Sequence, residues 1–149
     1  MKPYKLPVSV LVVIYTPDLH VLLLERTDHP GYWQSVTGSC EPGEPATAAA
    51  VREVGEETGL NACDYRLDDW NLTYEFEIFQ EWRHRYAPGV THNTEQVFGL
   101  AVPAPPTVTL APREHLAFVW LPWREAEQRV FSWSNAAAIR RLSERMAAE

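Results

Sequence analysis

Cysteine is nearly absent from this sequence of 149 residues, which contains only Cys40 and Cys63. Two isolated cysteines build no disulfide framework, and their spacing matches no metal-binding motif. Long hydrophobic runs are missing too, because the N-terminal apolar run from Val8 to Tyr15 is far too short to span a bilayer. The N-terminus also lacks a signal-peptide pattern. We therefore predict a cytoplasmic protein without a membrane partner.

Basic residues are also scarce, since 13 lysines and arginines face 20 acidic residues and the net charge is −7. This balance argues against a nucleic-acid backbone as partner. An acidic protein can still bind a polyphosphate if metal ions screen the charge. Hydrophobic residues make up 46% and charged residues 22% of the chain, an ordinary globular balance. The length predicts a single domain over residues 1–149, and the sequence leaves the oligomeric state open.

The segment Gly38–Leu60, GSCEPGEPATAAAVREVGEETGL, predicts a loop, a helix and a second loop. Pro45 suits the first helical position, where a missing N–H costs little, and Gly59 suits the position just past the helix. Between them an apolar stripe recurs at helical spacing and is predicted to face the core: Thr47, Ala50, Val51, Val54 and Thr58.

Three acids of this helix, Glu53, Glu56 and Glu57, recur at i, i+3 and i+4 and converge on one side. Like charges at these spacings destabilise a helix by roughly 0.2–0.5 kcal/mol per pair, and the C-terminal half disfavours negative charge. This clustering of like charges disfavours the helix and nothing nearby in the sequence compensates for it, which indicates a functional role for the three acids. Carboxylates are hard oxygen ligands suited to Mg²⁺ or Mn²⁺. The alternative interpretation of a bare ExxEE is a solvated acidic face.

The complete spacing of this segment is that of a known signature, GX5EX7REUXEEXGU, where U is a bulky apolar residue. On that pattern the chain is identified as a member of the Nudix hydrolase family. The resemblance implies an α/β fold, an α/β/α sandwich with a mixed β-sheet around the loop-helix-loop signature. It also implies hydrolysis of a diphosphate linked to another moiety, with Mg²⁺ as the cofactor and Mn²⁺ as a possible substitute.

The same resemblance assigns roles to individual residues of the signature. Glu53, Glu56 and Glu57 are implied to be the catalytic metal ligands, and one glutamate is implied to act as the base. The remaining positions are implied to support the structure. Arg52 and Glu44 would form an ion pair that fixes the loop to the helix, and Gly38 would allow close backbone packing.

Outside the signature, hydrophobic patterning predicts the other elements. The predicted strands are Val8–Tyr15 and His20–Arg26, which can pair as a hairpin, then Tyr32–Thr37, Leu72–Phe79, Gln96–Val102 and Leu116–Pro122. The terminal helix is predicted to have Ser134 or Asn135 as its cap, with these residues facing inward: Ala138, Ile139, Leu142 and Met146.

The only compact basic cluster in the sequence is Arg83-His84-Arg85-Tyr86. Two arginines and a histidine can meet a triphosphate. The same cluster also fits an ordinary exposed strand end, and spacing alone does not decide between these interpretations.

Several further strings resemble one subfamily, the dihydroneopterin triphosphate pyrophosphohydrolases of bacterial folate synthesis. They are YKLPVSVLVVIY, DHPGYWQSVTGS, EFEIFQEWRHRYAPGVTHNTE, EHLAFVWL and FSWSNAAAI. This resemblance implies Glu114 as a further metal ligand. It also implies a set of substrate contacts, which are Lys5, Arg26, Thr37, Ser132 and the segment Phe76-Glu77-Ile78-Phe79.

On the residues alone, these positions have plainer interpretations. Lys5 and Arg26 suit solvated strand ends, and Glu114 suits a surface acid. Phe76 and Phe79 cannot both face one side of a regular strand, so at least one of them is expected in the core unless a bulge intervenes.

The activity implied by the subfamily is Mg²⁺-dependent hydrolysis of 7,8-dihydroneopterin 3′-triphosphate to the monophosphate and pyrophosphate. A nucleoside triphosphate such as dATP is the alternative substrate, because a pterin and a purine are similar fused rings. A nucleotide-sensing module that does not cleave its ligand is the alternative from another class, against which the intact acid cluster argues. A nucleic-acid decapping enzyme fits poorly with the net charge of −7.

Overall fold

A mixed sheet of seven strands lies at the centre of the structure, a computed structural model that describes residues 3–148. The strands are β1 (Val8–Tyr15), β2 (His20–Arg26), β3 (Trp33–Gln34), β4 (Val36–Ser39), β5 (Arg66–Glu77), β6 (His92–Ala101) and β7 (His115–Pro122). The helices are α1 (Ala46–Thr58), α2 (Trp123–Arg129) and α3 (Trp133–Ala148). Short 3₁₀ turns occupy Ala62–Asp64 and Gln80–Arg85.

The strand order is β3-β2-β1-β6-β5, with β4 paired to β1 and β7 paired to β2. Strands β1 and β6 run parallel, and the other pairs are antiparallel. The sheet is therefore mixed, as predicted, and β1 and β2 pair in the antiparallel sense expected of a hairpin. Both strands have the predicted bounds.

Strand β1 is buried on both sides, which explains its uninterrupted apolar sequence. Val10, Val12 and Ile14 belong to the core under α1, together with Ala50 and Val54 of that helix. The intervening residues belong to a second core on the opposite face, with α2 and α3: Leu11, Val13, Tyr15, Ala126, Ala138, Ile139 and Leu142. The sheet thus lies between helices on its two faces, and the predicted α/β sandwich is confirmed.

Helix α1 begins one residue later than predicted, at Ala46. Pro45 is the N-cap instead of the first helical residue, because its ψ of 148° is extended. Gly59 occupies the position just past the helix with φ 75°, and its N–H donates to the Gly55 carbonyl.

The buried face of α1 differs from the predicted stripe at its start, since Thr47 is exposed. The buried residues are Ala49, Ala50, Glu53, Val54, Glu57 and Thr58. Compared with the predicted stripe, the observed buried face includes Glu53 and Glu57, because the helix packs on the sheet through the side that carries them. Two of the three acids are therefore not on a solvated face.

The predicted strand Tyr32–Thr37 is broken at Ser35, where the chain leaves β2 and joins β1. The Ser35 N–H donates to Asn135 Oδ1 at 2.8 Å, and Asn135 Nδ2 donates to the Ser35 hydroxyl at 3.0 Å. These two hydrogen bonds occupy the Asn135 side chain and stabilise the backbone where the strand is broken. Ser132 caps α3 instead, since its hydroxyl accepts from the Asn135 N–H at 3.2 Å, so the prediction of Ser134 or Asn135 as the cap was wrong.

Strand β5 starts earlier and ends earlier than predicted, from Arg66 to Glu77. A register shift between Asp69 and Leu72, with Asn71 at φ 52°, accommodates the aperiodic sequence at its start. The basic cluster follows on a 3₁₀ turn and not at a strand end. Within residues 3–148, no helix is long and apolar enough to cross a membrane.

Candidate active site

Most of the residues singled out in the sequence line one cleft. Its aromatic half is lined by Phe76, Ile78, Phe79, Trp82, Tyr86 and Phe131. Its acidic half is lined by Glu41, Glu53, Glu56, Glu57 and Glu114. The two halves share one set of lining residues and are therefore continuous: Lys5, Arg26, Gln34, Thr37, Gly38, Ser39 and Arg85.

Glu57 is the most deeply buried acid of the cleft, with an exposed fraction of 1%. Neither of its carboxylate oxygens has a hydrogen-bond donor among the residues that the structure describes. Burial raises the pKa of Glu57 well above its usual value, and the neighbouring Glu53 raises it further. A buried carboxylate without donors is costly, so native structures keep one where a ligand or ion satisfies it.

Glu53 lies one turn before Glu57 and is 8% exposed. Burial raises the pKa of Glu53, while Arg52 opposes that shift because its Nη1 donates to Glu53 Oε1 at 2.8 Å. The carboxylate packs directly over Gly38 of β4, where an added Cβ would lie 2.1 Å from Glu53 Cδ. Only a residue without a side chain leaves room for Glu53 in this position.

Arg52 ties the loop before α1 to the helix. It pairs with Glu44 through two parallel hydrogen bonds of 2.9 Å, and its Nη2 also donates to the Ser39 carbonyl at 3.0 Å. The hydrogen bonds from Arg52 lower the pKa of Glu44 to about 2. Arg52 also reaches Glu56 at 3.3 Å, and that side chain remains half exposed. The arginine thus positions the backbone of β4 against the glutamates of α1.

Glu114 lies in the turn before β7, exposed and facing the acidic half of the cleft. Its carbonyl accepts from the Thr27 N–H at 2.9 Å, which anchors the turn to the end of β2. Its negative charge contributes to the raised pKa of Glu57. The fold therefore brings Glu114 to the same cleft as the helix acids.

His115 is 4% exposed beside Glu57, with Nε2 at 3.6 Å from Glu57 Oε1. Burial and the charge of Arg26 lower the pKa of His115 to about 4, so its ring is neutral near pH 7. The Gln34 amide nitrogen, 3.3 Å away, donates to the same Nε2, because the Gln34 oxygen already accepts from Arg26. Nε2 is then an acceptor and does not satisfy Glu57.

Three cations stand where the two halves meet: Lys5, Arg26 and Arg85. Arg26 is held by two hydrogen bonds to Asp28, of 2.7 and 2.6 Å, and lies 4.4 Å above the Trp82 ring. These bonds lower the pKa of Asp28 to about 2. Burial lowers the pKa of Lys5, followed by the charge of Arg85. Lys5 forms no ion pair within residues 3–148 and so has its charge available for an anion.

The residues of the basic cluster have different environments in the structure. Arg83 has a structural position, since its Nε donates to the Ile78 carbonyl at 3.0 Å and its guanidinium pairs with Glu77 at 3.1 Å. Arg85 and His84 line the cleft, and Arg85 also pairs with Asp28 at 3.1 Å. Only part of the cluster can therefore meet an anion.

Phe76 and Phe79 both line the aromatic half, and this is possible because β5 ends at Glu77 and Phe79 directly precedes the 3₁₀ turn Gln80–Arg85. Neither ring is fully buried, and the expectation of a core ring applied to a regular strand, whereas β5 ends before Phe79. Phe79 stacks on Trp82 with ring centres 5.2 Å apart, and Phe131 packs edge-on against both. Ser132, predicted as a substrate contact, lines this half beside Phe131.

Sequence reasoning missed Asn93 and Glu95, which line the aromatic half from β6 and are 3% and 5% exposed. Burial raises the pKa of Glu95 to about 7, with the hydroxyls of Thr37 and Ser134 opposing that shift. A signal was present, because counting back by twos from the buried Val97 places both residues on a core face. A carboxylate at such a position is unusual.

No set of three His, Cys, Asp or Glu side chains in the described part of the chain is arranged as a ready-made metal site. Arg52 engages Glu53 and Glu56 in this structure. A metal ion would compete with the guanidinium for these oxygens, whereas neither oxygen of Glu57 has a hydrogen-bond donor in the part of the chain that the structure describes.

The sequence matches the NUDIX domain family over residues 5–144. It is 52% identical to a dihydroneopterin triphosphate diphosphatase of Escherichia coli K12, over 93% of either chain. It is 42% identical to the protein of the same name from Haemophilus influenzae, over 95% of this chain and 90% of that one. The fold is similar to the solved structure of the E. coli dihydroneopterin triphosphate pyrophosphohydrolase, with a TM-score of 0.88 over 94% and 97% of the two chains.

Proposed function

Because the chain belongs to the Nudix family of hydrolases, we propose that it hydrolyses 7,8-dihydroneopterin 3′-triphosphate to dihydroneopterin monophosphate and pyrophosphate. The observation that carries this proposal is a single cleft with aromatic rings at one end, carboxylates at the other and cations between. This order matches a substrate that has a flat ring at one end and a metal-bound triphosphate at the other. The relatives at 52% and 42% identity bear the name of this activity.

Nudix hydrolases generally use divalent cations, and the unpaired oxygens of Glu57 fit one. We propose Mg²⁺ as the ion, with Mn²⁺ as a substitute. Glu57 and Glu53 would hold it, and Glu56 and Glu114 would complete the ligands. When bound, the ions would neutralise charge on the phosphate oxygens and polarise the attacking water.

The protein's own contribution is to position charged groups around the triphosphate and the attacking water. One of the glutamates around Glu57 accepts the proton of the attacking water, as burial and mutual repulsion favour protonation there. Lys5 and Arg26 hold phosphate oxygens at the junction, where Trp82 and Asp28 fix the arginine in place. Hydrolysis needs this positioning more than covalent chemistry.

The ring of the substrate lies in the aromatic half in this proposal. Phe76 and Phe79 offer faces for stacking, and the segment Phe76-Glu77-Ile78-Phe79 lines the wall next to them. Thr37 and Ser132 line the same space and would offer hydroxyls to the substrate. A single domain, a cytoplasmic location and the absence of a nucleic-acid partner stay predictions from the sequence.

Product analysis tests the proposed function. Purified enzyme with Mg²⁺ and dihydroneopterin triphosphate should release pyrophosphate and the monophosphate in equal amounts. A parallel assay with dATP under the same conditions compares kcat/KM for the alternative substrate. Release of single phosphate, absence of turnover, or a higher kcat/KM for dATP would each contradict the proposal.

Arg26→Ala is expected to raise KM for the triphosphate by roughly tenfold, with a smaller effect on kcat. The reason is a lost charge-assisted contact that serves ground and transition states alike. Arg26→Lys is the matched control, since it keeps the charge but loses the planar fork. It should fall between wild type and Arg26→Ala in steady-state kinetics. Unchanged KM in Arg26→Ala would leave the residue a structural partner of Asp28.

Glu114→Ala is expected to weaken the metal dependence of catalysis while the binding of substrate without metal stays nearly unchanged. Activity titrated against Mg²⁺ should shift to higher concentration, and Mn²⁺ should restore part of it. A missing base would behave differently, because extra metal does not replace a proton acceptor. Normal hydrolysis at low Mg²⁺ would show that Glu114 takes no part in the metal site.

A further inference from the structure

Asp28 follows β2 and lines the cleft beside the cations that lie between its two halves. Its Oδ1 accepts from Arg26 Nε at 2.7 Å, and its Oδ2 accepts from Arg26 Nη2 at 2.6 Å. The same Oδ2 accepts from Arg85 Nη2 at 3.1 Å, although Arg85 belongs to the 3₁₀ turn Gln80–Arg85, 57 residues further along the chain. One carboxylate therefore holds two guanidinium groups from distant segments.

The orientation of Arg26 is fixed by Asp28 and by two further side chains. Its Nη1 donates to Gln34 Oε1 at 3.0 Å, and its guanidinium carbon lies 4.4 Å from the centre of the Trp82 ring. A guanidinium has five N–H donors, and the bonds to Asp28 and Gln34 use three of them. Among residues 3–148 no side chain or carbonyl accepts from the two that remain, one on Nη1 and one on Nη2, so both can donate to an anion in the cleft.

Lys5 is connected to the same group of residues through its backbone. Its N–H donates to the Arg85 carbonyl at 2.9 Å, and Lys5 forms a parallel bridge with Tyr86. Burial lowers the pKa of Lys5 most, and the charges of Arg85 and Arg26 lower it further, because the three cations lie near one another. Like charges repel, so an acid among them makes it easier to hold them together. The hydrogen bonds from Arg26 lower the pKa of Asp28 to about 2, so this acid is ionised at neutral pH.

We propose that Asp28 is a positioning residue for the triphosphate, whose carboxylate orients Arg26 and Arg85 toward the phosphate oxygens and, through Arg85, fixes the backbone of Lys5. A negative group would repel the substrate if it acted directly, so Asp28 acts through the cations that it orients. Both of its oxygens accept from guanidinium groups, which makes it a poor metal ligand. This inference rests on the proposed function, and it deepens it by naming the residue that organises the cations of the cleft.

The charge of Asp28 and its hydrogen bonds have opposite effects on substrate binding. Removal of a negative charge near a polyphosphate strengthens the attraction of the cleft for the substrate and would lower KM. Loss of the hydrogen bonds frees two guanidinium groups, which the substrate must then order when it binds, and this would raise KM. The direction of the change therefore distinguishes a residue that positions the cations from one that only lies beside them.

Asp28→Asn tests this role, because it keeps the size of the side chain, removes the charge and leaves a single acceptor oxygen. We expect KM for dihydroneopterin triphosphate to rise roughly three- to tenfold and kcat to stay within about twofold of wild type, since the cations serve ground and transition states alike. Asp28→Glu keeps both acceptors and should recover part of the loss. Asp68→Asn is the matched control, because Asp68 accepts from Arg66 Nε at 2.7 Å with the same spacing in sequence and does not line the cleft. Its KM should equal that of wild type.

A double-mutant comparison shows whether Asp28 acts through Arg26. In the Arg26→Ala background, Asp28→Asn should raise KM by a smaller factor than in wild type, because one of the two guanidinium groups that Asp28 orients is already gone. The same factor in both backgrounds would contradict the proposed action through Arg26.

Binding of inorganic tripolyphosphate in the presence of Mg²⁺, measured by isothermal titration, tests the same contacts without the substrate ring. Its Kd should rise in Asp28→Asn by a factor similar to the rise in KM. No binding to wild type, an unchanged or lower Kd, or a shift of the Mg²⁺ dependence like that expected for Glu114→Ala would overturn the positioning role. If the wild type releases no pyrophosphate from dihydroneopterin triphosphate, the proposed function fails, and the tripolyphosphate comparison still decides this inference.

Discussion

Glu57→Gln should lower kcat by about 10³-fold at a fixed Mg²⁺ concentration, on the order of 4 kcal/mol of lost transition-state stabilisation. The substitution keeps the size of the side chain and removes a negative charge from the most buried acid of the cleft. Neither oxygen of Glu57 accepts a hydrogen bond from residues 3–148, so the wild-type carboxylate can bind a metal ion. Steady-state kinetics would measure the loss of kcat, and isothermal titration with Mg²⁺ would measure the effect on metal binding.

The stability of the same variant gives an independent readout. Burial and the neighbouring Glu53 raise the pKa of Glu57, which means that the folded protein disfavours its charge. Without metal, the free energy of unfolding of Glu57→Gln should equal or exceed that of wild type. Glu125→Gln on α2 is the matched control for the loss of one charge, because it is exposed and outside the cleft. Near wild-type turnover by Glu57→Gln would remove this residue from the metal site.

Gly38→Ala should lower kcat by about 10²-fold, the size of effect that a displacement of about 1 Å in a catalytic group produces. The new Cβ would lie 2.1 Å from Glu53 Cδ and 2.3 Å from Glu53 Oε1, so the carboxylate must move. That movement would break the 2.8 Å hydrogen bond from Arg52. The atoms that the new Cβ meets all belong to the end of the Glu53 side chain, so we expect the main effect on the position of this carboxylate and a smaller effect on stability.

The control for this steric argument is Gly55→Ala on the exposed side of α1. A Cβ at Gly55 meets nothing closer than the Leu60 carbonyl at 3.8 Å, and alanine favours a helix by about 0.5–1 kcal/mol over glycine. Gly55→Ala should therefore raise Tm without a loss of kcat, whereas Gly38→Ala should lower kcat. If Gly38→Ala keeps full activity, the position of Glu53 is not critical for the reaction.

The sequence by itself determined the family, the sandwich and the elements whose periodicity is strong. The apolar run Val8–Tyr15 predicted a strand buried on both faces, since continuous β-branched residues have no polar side to expose. Gly59 marked the end of α1, because glycine adopts a positive φ without strain. The spacing of the signature also drew attention to Glu53 and Glu57. These features depend on residues that lie close together in the sequence, and for that reason the sequence alone reveals them.

Only the tertiary structure decided which residues share the cleft and which way they face. Glu56 remains half exposed while Glu57 is 1% exposed, although the two are neighbours in sequence, because the sheet covers one side of α1. The role of the Asn135 side chain depends on the break at Ser35, which lies 100 residues earlier in the chain. Glu95 reads as an ordinary strand residue until the fold buries it and leaves its Oε1 without a donor among residues 3–148. Burial and hydrogen-bond satisfaction arise from contacts between distant segments, and for that reason the sequence pattern did not reveal them.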